Sequence, residues 1–154
     1  MAKKKSWVEK LHQSKDLPKV VLLNREASSR WGGNTMAIPA PIEVDKIMAS
    51  VPEGKLTTIN QIREKIAKKH RAETGCPLTC GIFAWIAANA AEEEREAGKE
   101  EITPYWRTLK CEGEINPKFP GGIQIQSMLL KGEGHKIKQK GKKYFVEGYE
   151  KSLS

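Results

Sequence analysis

Two helix-forming segments separated by a short turn constrain the fold of this chain more than any other feature of its sequence. The first begins after Thr58, which has Gln61 three residues later in the spacing of a capping box, and it is predicted to run to about His70. The second begins at Pro77, a residue suited to the first position of a helix, and it is predicted to end near Gly98. Two helices joined by a tight turn form a helix-turn-helix or an ordinary helical hairpin, and their spacing favours neither.

The second helix has a large apolar side and a small uncharged side. The side predicted to face the core repeats every three or four residues and consists of Leu78, Ile82, Trp85, Ile86 and Asn89. The opposite side carries, near its beginning, Thr79, Cys80, Phe83, Ala84 and Ala87. Small side chains allow a helix to approach a nucleic-acid groove closely, and the amides of its N-terminus favour phosphate. In a helix-turn-helix, the small side is therefore the predicted nucleic-acid contact.

The formal net charge of +8 is concentrated at the two ends of the chain. Residues 1–36 carry eight lysines and arginines against three acidic residues, and residues 131–151 carry seven against three. The first five residues, MAKKK, are predicted to form a mobile basic arm. Such a distribution attracts polyanions, nucleic acid first and anionic membrane second, although it also serves solubility alone.

A lysine-rich hairpin is predicted near the C-terminus. Residues 136–139 and 143–146 flank a turn centred on Gly141, and a hairpin of this kind is the form that a wing takes beside a helix-turn-helix. Phosphates are its expected ligands, since lysines on an exposed hairpin neutralise them. The predicted contacts are Lys138, Lys140, Lys142 and Lys143.

Length and composition favour one monomeric domain, mostly α with small β structure. We predict an extension over residues 1–36 that packs on a domain over residues 37–150. No apolar run approaches the roughly 20 residues that cross a bilayer, and an odd number of cysteines favours a reducing cytoplasm. Neither a cofactor nor a metal is predicted, because the pair Cys76 and Cys80 has no second pair of ligands.

The segment from Ile102 to Leu109 places two large aromatic side chains between a proline and an arginine. The proline and the alternation predict the start of an edge or irregular strand, with Tyr105 and Arg107 on one face and Trp106 on the other. A tyrosine beside a fixed cation can stack on a flat ring, or it can fill the core with its hydroxyl tethered to a carbonyl. These residues by themselves favour the core.

The order of the motifs resembles a known family of DNA-binding proteins. The motifs are Val51-Pro52-Glu53-Gly54-Lys55, Thr57-Thr58, the two helices, Pro104-Tyr105-Trp106-Arg107, Pro120-Gly121-Gly122 and Leu129-Leu130-Lys131-Gly132-Glu133-Gly134. This order is similar to the C-terminal domain of the O6-alkylguanine-DNA alkyltransferases, the methylated-DNA–protein-cysteine methyltransferases, and of their non-catalytic relatives, the alkyltransferase-like proteins. The likeness covers residues 42–134 and implies a winged helix-turn-helix that binds double-stranded DNA.

The reactive centre of the alkyltransferases has no counterpart here. Their Pro-Cys-His-Arg motif supplies a cysteine that takes the alkyl group, and a histidine oriented by a glutamate generates its thiolate. In this chain those two positions are Tyr105 and Trp106, and Glu133 matches the glutamate with no histidine to orient. The alkyltransferase-like proteins have tryptophan in place of the cysteine but keep the histidine, so this chain differs from them too. No alkyl transfer is predicted.

Other family positions also differ. The tyrosine that turns the phosphate of the extruded nucleotide is Ile59 here, and the arginine that fills the vacated base stack has no counterpart between Thr79 and Gly81, although Asn89 matches a family asparagine. Cys80 is favoured as a packing residue over a replacement acceptor, because no histidine is placed to activate it.

The resemblance implies two sets of site residues. The first set contacts DNA and comprises, in addition to the hairpin lysines, Thr58, Asn60, Thr79, Cys80 and Gly81. The second set lines the edges of a base pocket and comprises Tyr105, Trp106, Arg107, Pro120, Gly121 and Gly122. The predicted function is non-catalytic DNA binding linked to recognition or repair of alkylated DNA, with a repair protein as a further partner. Two alternatives stay open: plain nucleic-acid binding without lesion recognition, and a scaffold for a small molecule or a protein.

Overall fold

The computed structural model of the chain describes residues 6–26, 30 and 34–154, so the basic arm predicted at residues 1–5 lies outside the described residues. The helices are α1 (Trp7–His12), α2 (Pro41–Ala49), α3 (Ile59–Lys69), α4 (Pro77–Glu96) and α5 (Gly122–Gly132). The strands are β1 (Lys19–Leu22), β2 (Thr35–Ile38), β3 (Thr57–Thr58), β4 (Thr74–Gly75), β5 (Thr108–Leu109), β6 (Ile137–Lys140) and β7 (Lys143–Val146). About half of the described part is helical, and the rest includes small sheets, which agrees in outline with the predicted fold class.

The strands pair into small sheets between and beside the helices. Strand β2 lies between β1, to which it is antiparallel, and β4, to which it is parallel. Strands β3 and β5 are parallel, and β6 and β7 form an antiparallel hairpin. The hairpin predicted near the C-terminus is therefore confirmed. No helix in the described ranges combines the length and the apolar character that crossing a bilayer requires.

The main core lies where α2, α3 and α4 meet. Helix α2 contributes Val44 and Met48, and α3 contributes Ile62 and Ile66, all fully buried. Burial of one such side chain stabilises the fold by about 1.5–3 kcal/mol. The two predicted helical segments are confirmed as α3 and α4, and the Thr58 hydroxyl caps α3 by accepting from the Gln61 amide at 3.2 Å.

The orientation predicted for α4 is wrong. Leu78 is 70% exposed and Ile82 43%, whereas Cys80 and Ala84 on the other side are completely buried. Helix α4 is central and packs against α1, α2 and α3. Its small residues lie inward because they let these neighbouring helices approach closely, and the large apolar residues are left outward.

The N-terminal helix is attached to the helical domain through α4. The Glu93 carboxylate accepts hydrogen bonds from the amides of Trp7 and Val8, at 3.0 and 3.1 Å, and so occupies the N-terminus of α1. The ring of Trp7 meets that of Trp85 edge to face, with centroids 4.8 Å apart. The boundary predicted between residues 36 and 37 falls within β2, and the division of the chain at that point stays a prediction.

A second core joins α5 to the hairpin. Leu109, Ile115, Leu130 and Val146 bury their side chains together with Leu56. This cluster holds β5, α5 and β7 against one another, so the segment that follows the Pro-Tyr-Trp-Arg motif is fixed on both sides.

Candidate nucleic-acid interface

Three of the sequence motifs meet at one buried carboxylate, that of Glu133 at the C-terminal end of α5. The Arg107 guanidinium donates to it from Nε at 2.9 and 3.1 Å and from Nη2 at 2.9 Å. The indole N–H of Trp106 donates to it at 2.8 Å, and the amide of Gly54 at 3.1 Å. Arg107 also donates to the carbonyl of Val51 at 2.8 Å. Hydrogen bonds therefore fasten the motif at 51–55 and the motif at 104–107 to the end of α5.

The Glu133 carboxylate is held in its ionised form. The side chains of Glu133 and Arg107 are only 8% and 14% exposed. Burial opposes ionisation, but the hydrogen bonds from Arg107, Trp106 and Gly54 outweigh it and lower the pKa of Glu133 below its ordinary value. The guanidinium also lies 5.5 Å from the centre of the Trp106 ring.

Glu133 has no histidine to orient, as the sequence indicates, but it accepts a hydrogen bond from Trp106 at that position. An indole carries one N–H donor, as a neutral imidazole does, and Trp106 directs that donor at the carboxylate. The sequence alone could have indicated this hydrogen bond, because every tryptophan carries one N–H donor on its ring.

The backbone of this motif is a turn and not the predicted strand. Tyr105–Arg107 is one turn of 3₁₀ helix, closed by the Arg107 amide on the carbonyl of Pro104 at 3.1 Å. Alternation would put Trp106 and Arg107 on opposite faces, whereas the turn brings both to Glu133. The strand begins only afterwards, at Thr108.

Tyr105 fills the core, as its sequence context favours, and is 2% exposed. Its ring meets Trp106 and Phe119 edge to face, with centroids 5.4 and 6.2 Å apart. Its hydroxyl is tethered to a carboxylate, not a carbonyl, and donates to Glu92 at 3.3 Å. Burial, together with the charge of Glu92, raises the pKa of Tyr105 to about 12, so the side chain stays neutral and is no nucleophile at neutral pH.

A cavity of about 510 Å³ lies beside this turn. Of the predicted base-pocket residues, Tyr105, Trp106 and Gly121 line it, whereas the Arg107 side chain turns away to Glu133. Gly121 has a φ of 77°, and a Cβ there would lie 2.5 Å from Ile125, so only glycine fits.

The sequence did not single out two charged residues of this cavity. Glu92 and Arg95 line it from the part of α4 that follows Asn89. The Arg95 guanidinium donates hydrogen bonds to the Glu92 carboxylate, from Nε at 2.8 and 3.0 Å and from Nη2 at 2.6 Å. Their spacing of three residues could have indicated this ion pair, because residues three apart are neighbours on a helix and α4 continues without a break past Asn89.

Cys80 is neither an acceptor of alkyl groups nor a DNA contact. Its side chain is completely buried in the helical core, and burial raises the pKa of the thiol to about 12. The interpretation of Cys80 as a packing residue is confirmed, and its assignment to DNA binding is wrong. Thr58, 5% exposed and engaged as the cap of α3, likewise presents almost no surface.

The outer side of α4 borders a second cavity, of about 460 Å³. Leu78, Gly81, Ile82 and Trp85 line it from the helix, and Lys110, Asn116, Pro117 and Lys118 line it from the facing segment. The indole N–H of Trp85 donates to the carbonyl of Lys118 at 3.2 Å and fixes the two walls to each other. Of the predicted DNA contacts on α4, Gly81 belongs to this groove, whereas Thr79 is half-buried.

The segment 110–118 connects this groove to the lysine hairpin. Its middle pairs with β7: the Ile115 amide donates to the carbonyl of Tyr144 at 2.8 Å, and Glu114 bridges to Phe145. The four predicted hairpin lysines are exposed, and so is Asn60 at the start of α3. In the described part of the chain, no three His, Cys, Asp or Glu side chains are grouped as a metal site would require.

No protein-family model matches the chain, and no curated protein matches it in sequence. The fold is similar to that of two solved structures: S. pombe Atl1 in complex with damaged DNA that contains O6-carboxymethylguanine, and S. pombe ATL in complex with DNA. Each has a TM-score of 0.51 and 18% sequence identity, and each match covers 74% of this chain and 93% of the other. At this level of identity the likeness shows the fold alone.

Proposed function

We propose that this protein binds double-stranded DNA and recognises alkylated bases in it without transferring the alkyl group. It would do so with the winged helix-turn-helix arrangement that the sequence resemblance implies. The fold is that of proteins solved with DNA, and one of those DNAs contains an alkylated guanine. A helix pair, an open groove on its second helix and an exposed lysine hairpin provide the surface.

The observation that carries the proposal is the junction at Glu133. Three family motifs converge there through hydrogen bonds of 2.8–3.1 Å, so the scaffold around the pocket is intact. The resemblance puts the acceptor cysteine and its histidine at Tyr105 and Trp106. Both side chains are neutral rings engaged with carboxylates, and among the described residues no cysteine lines the cavity beside them. Recognition without transfer follows from a kept scaffold and a lost nucleophile.

The proposed base pocket is the cavity beside Tyr105 and Trp106, with the loop Pro120-Gly121-Gly122 as its edge. Arg107 positions Trp106 through Glu133. A pocket of about 510 Å³ has room for a purine, and the paired charges of Glu92 and Arg95 offer an acceptor and a donor for its edge. The hairpin lysines, Asn60 and Gly81 are the proposed contacts to the duplex.

Plain duplex binding is the second candidate, and two observations favour it. Ile59 stands where the resemblance implies a nucleotide-turning tyrosine, and Tyr105 is almost fully enclosed by protein. A protein of this kind would bind DNA phosphates through the hairpin lysines and would not extrude any base from the duplex.

Fluorescence anisotropy on two duplexes that differ only in one O6-methyl group tests the proposal. We expect tighter binding to the alkylated duplex, and affinity for both duplexes that falls steeply with salt as counterions are released. Equal affinities for the two duplexes would contradict lesion recognition and leave plain duplex binding. An affinity that does not change with salt would contradict both candidate functions. Intact-mass measurement after incubation with the alkylated duplex tests the lost chemistry, because a gain of the alkyl mass contradicts it.

A further inference from the structure

Large apolar side chains are exposed at the beginning of α4. Leu78, in its first turn, is 70% exposed, and Ile82 is 43% exposed one turn later. Both lie on the same side of the helix, since residues four apart share a face. The folded state gains little from a leucine and an isoleucine that stand side by side in solvent. The informative question is what covers them.

The charges around these side chains identify the occupant. Lys110 and Lys118 border the same groove, and both are exposed. Within the described ranges of the chain, no acidic residue lines it. An apolar strip that faces two cations across a groove fits a polyanion with apolar faces inside, which is the chemistry of a base stack between phosphates. Gly81 lies between the two apolar residues, and a Cβ there would meet no atom within 4 Å, so the helix backbone is open to close approach.

We infer that Leu78, backed by Ile82, is an apolar wedge that enters the DNA base stack when the protein binds. Apolar side chains that enter a base step unstack it partly and bend the duplex. Leu78 lies one residue before the segment 79–81, where the resemblance implies an arginine that this chain lacks. The inference rests on the proposed function, because it needs DNA to be bound.

Unstacking of bases provides the direct measurement. A set of duplexes, each with 2-aminopurine at a different position, reports unstacking as a rise in fluorescence when the protein binds. We expect a rise of several-fold at one or two adjacent positions. Leu78→Ala should remove most of this rise and weaken binding about tenfold, as expected for one leucine side chain that is no longer buried. Leu78→Met, which keeps the volume, should keep the signal.

Controls separate the wedge from other effects. Leu22→Ala is the matched variant, since Leu22 is 85% exposed on β1 and away from the groove, and it should change neither readout. The salt dependence of binding should be the same for Leu78→Ala as for the natural chain, because no charge is lost.

Each outcome decides between the two claims. If the natural chain binds no DNA, the proposed function falls and the wedge falls with it. If the chain binds DNA and the fluorescence stays flat at every position, or rises equally with Leu78→Ala, the wedge alone is overturned. In that case the apolar strip belongs to a partner of another class.

Discussion

The Glu133 junction and the opening of α4 are both proposed parts of one interface, and they are built in opposite ways. At the junction polar groups are paired: one carboxylate takes hydrogen bonds from Arg107, Trp106 and Gly54, and the ion pair is nearly out of water. At the opening of α4 large apolar groups face solvent, and Leu78 has most of its surface exposed.

The difference separates what holds the fold from what is free to bind. Removing one partner of a buried, paired charge strongly destabilises a protein, and such a pair fixes the surrounding backbone. An exposed apolar side chain contributes little to the folded state and is available to a ligand. We therefore expect changes at the junction to act on stability, and changes at the groove and hairpin to act on binding.

Glu133→Gln should have the largest effect of the predicted changes. It leaves the buried Arg107 guanidinium without its counter-charge, and we expect the free energy of unfolding to fall by about 3–5 kcal/mol. Urea denaturation measures this. Ile82→Ala is the control from the open region and should change the unfolding free energy by no more than about 0.5 kcal/mol. Equal effects of the two variants would erase the contrast between the regions.

Replacement of the four hairpin lysines by alanine should show the opposite behaviour. Lys138, Lys140, Lys142 and Lys143 are exposed, so the unfolding free energy should hardly change. Binding should weaken equally for all sequences, and the slope of log affinity against log salt should shrink by about 0.9 for each phosphate that is no longer neutralised. The same four positions changed to arginine provide the matched control and should bind normally. An unchanged salt slope in the alanine variant would remove the hairpin from the interface.

Tyr105→Phe should have a smaller effect on stability than Glu133→Gln. It tests whether a buried residue that lines the proposed base pocket also contributes to binding. The ring stays packed on Trp106 and Phe119, and only the hydroxyl bond to Glu92 is removed. We expect about 1 kcal/mol less stability and a reduced preference for the alkylated duplex, with affinity for plain duplex unchanged. Glu64→Gln, at an exposed carboxylate of α3, is the control. A Tyr105→Phe protein that keeps the full lesion preference would place the hydroxyl outside recognition.

The pH dependence of stability should give the smallest signal. The pKa of Glu133 is lower in the folded chain than in the unfolded one, so its stabilisation is complete above the unfolded pKa of about 4.3. That stabilisation is lost as the pH falls through the lower folded pKa. Urea midpoints at several acidic pH values should therefore decline more steeply for the natural chain than for Glu133→Gln. Parallel curves would mean that Glu133 does not carry this dependence.

Much of the framework could be predicted from the sequence, because local signals determine it. The cap at Thr58, the proline at the start of α4 and the glycine turn of the hairpin each fix an element through its own backbone chemistry. The resemblance located Tyr105, Trp106 and Gly121, and the structure brings these three to one cavity.

The errors come from interactions between distant parts of the chain. Periodicity locates two faces on α4 but does not tell which one is inside. That choice depends on three neighbouring helices that need small residues at their crossings. The turn at Tyr105–Arg107 likewise depends on Glu133, some 26 residues further on, which draws two consecutive side chains to one point. Glu92 belongs to the candidate site because it accepts a hydrogen bond from the hydroxyl of Tyr105, and no local sequence pattern reveals that partner.

The central claim is that the chain recognises an alkylated base with a scaffold that no longer reacts. The most direct test is the ratio of dissociation constants for one duplex with and without a single O6-methylguanine, measured at one salt concentration. We predict a ratio of about tenfold or more in favour of the alkylated duplex, which corresponds to about 1.4 kcal/mol. A ratio of one would contradict the claim and leave a protein that only grips the double helix.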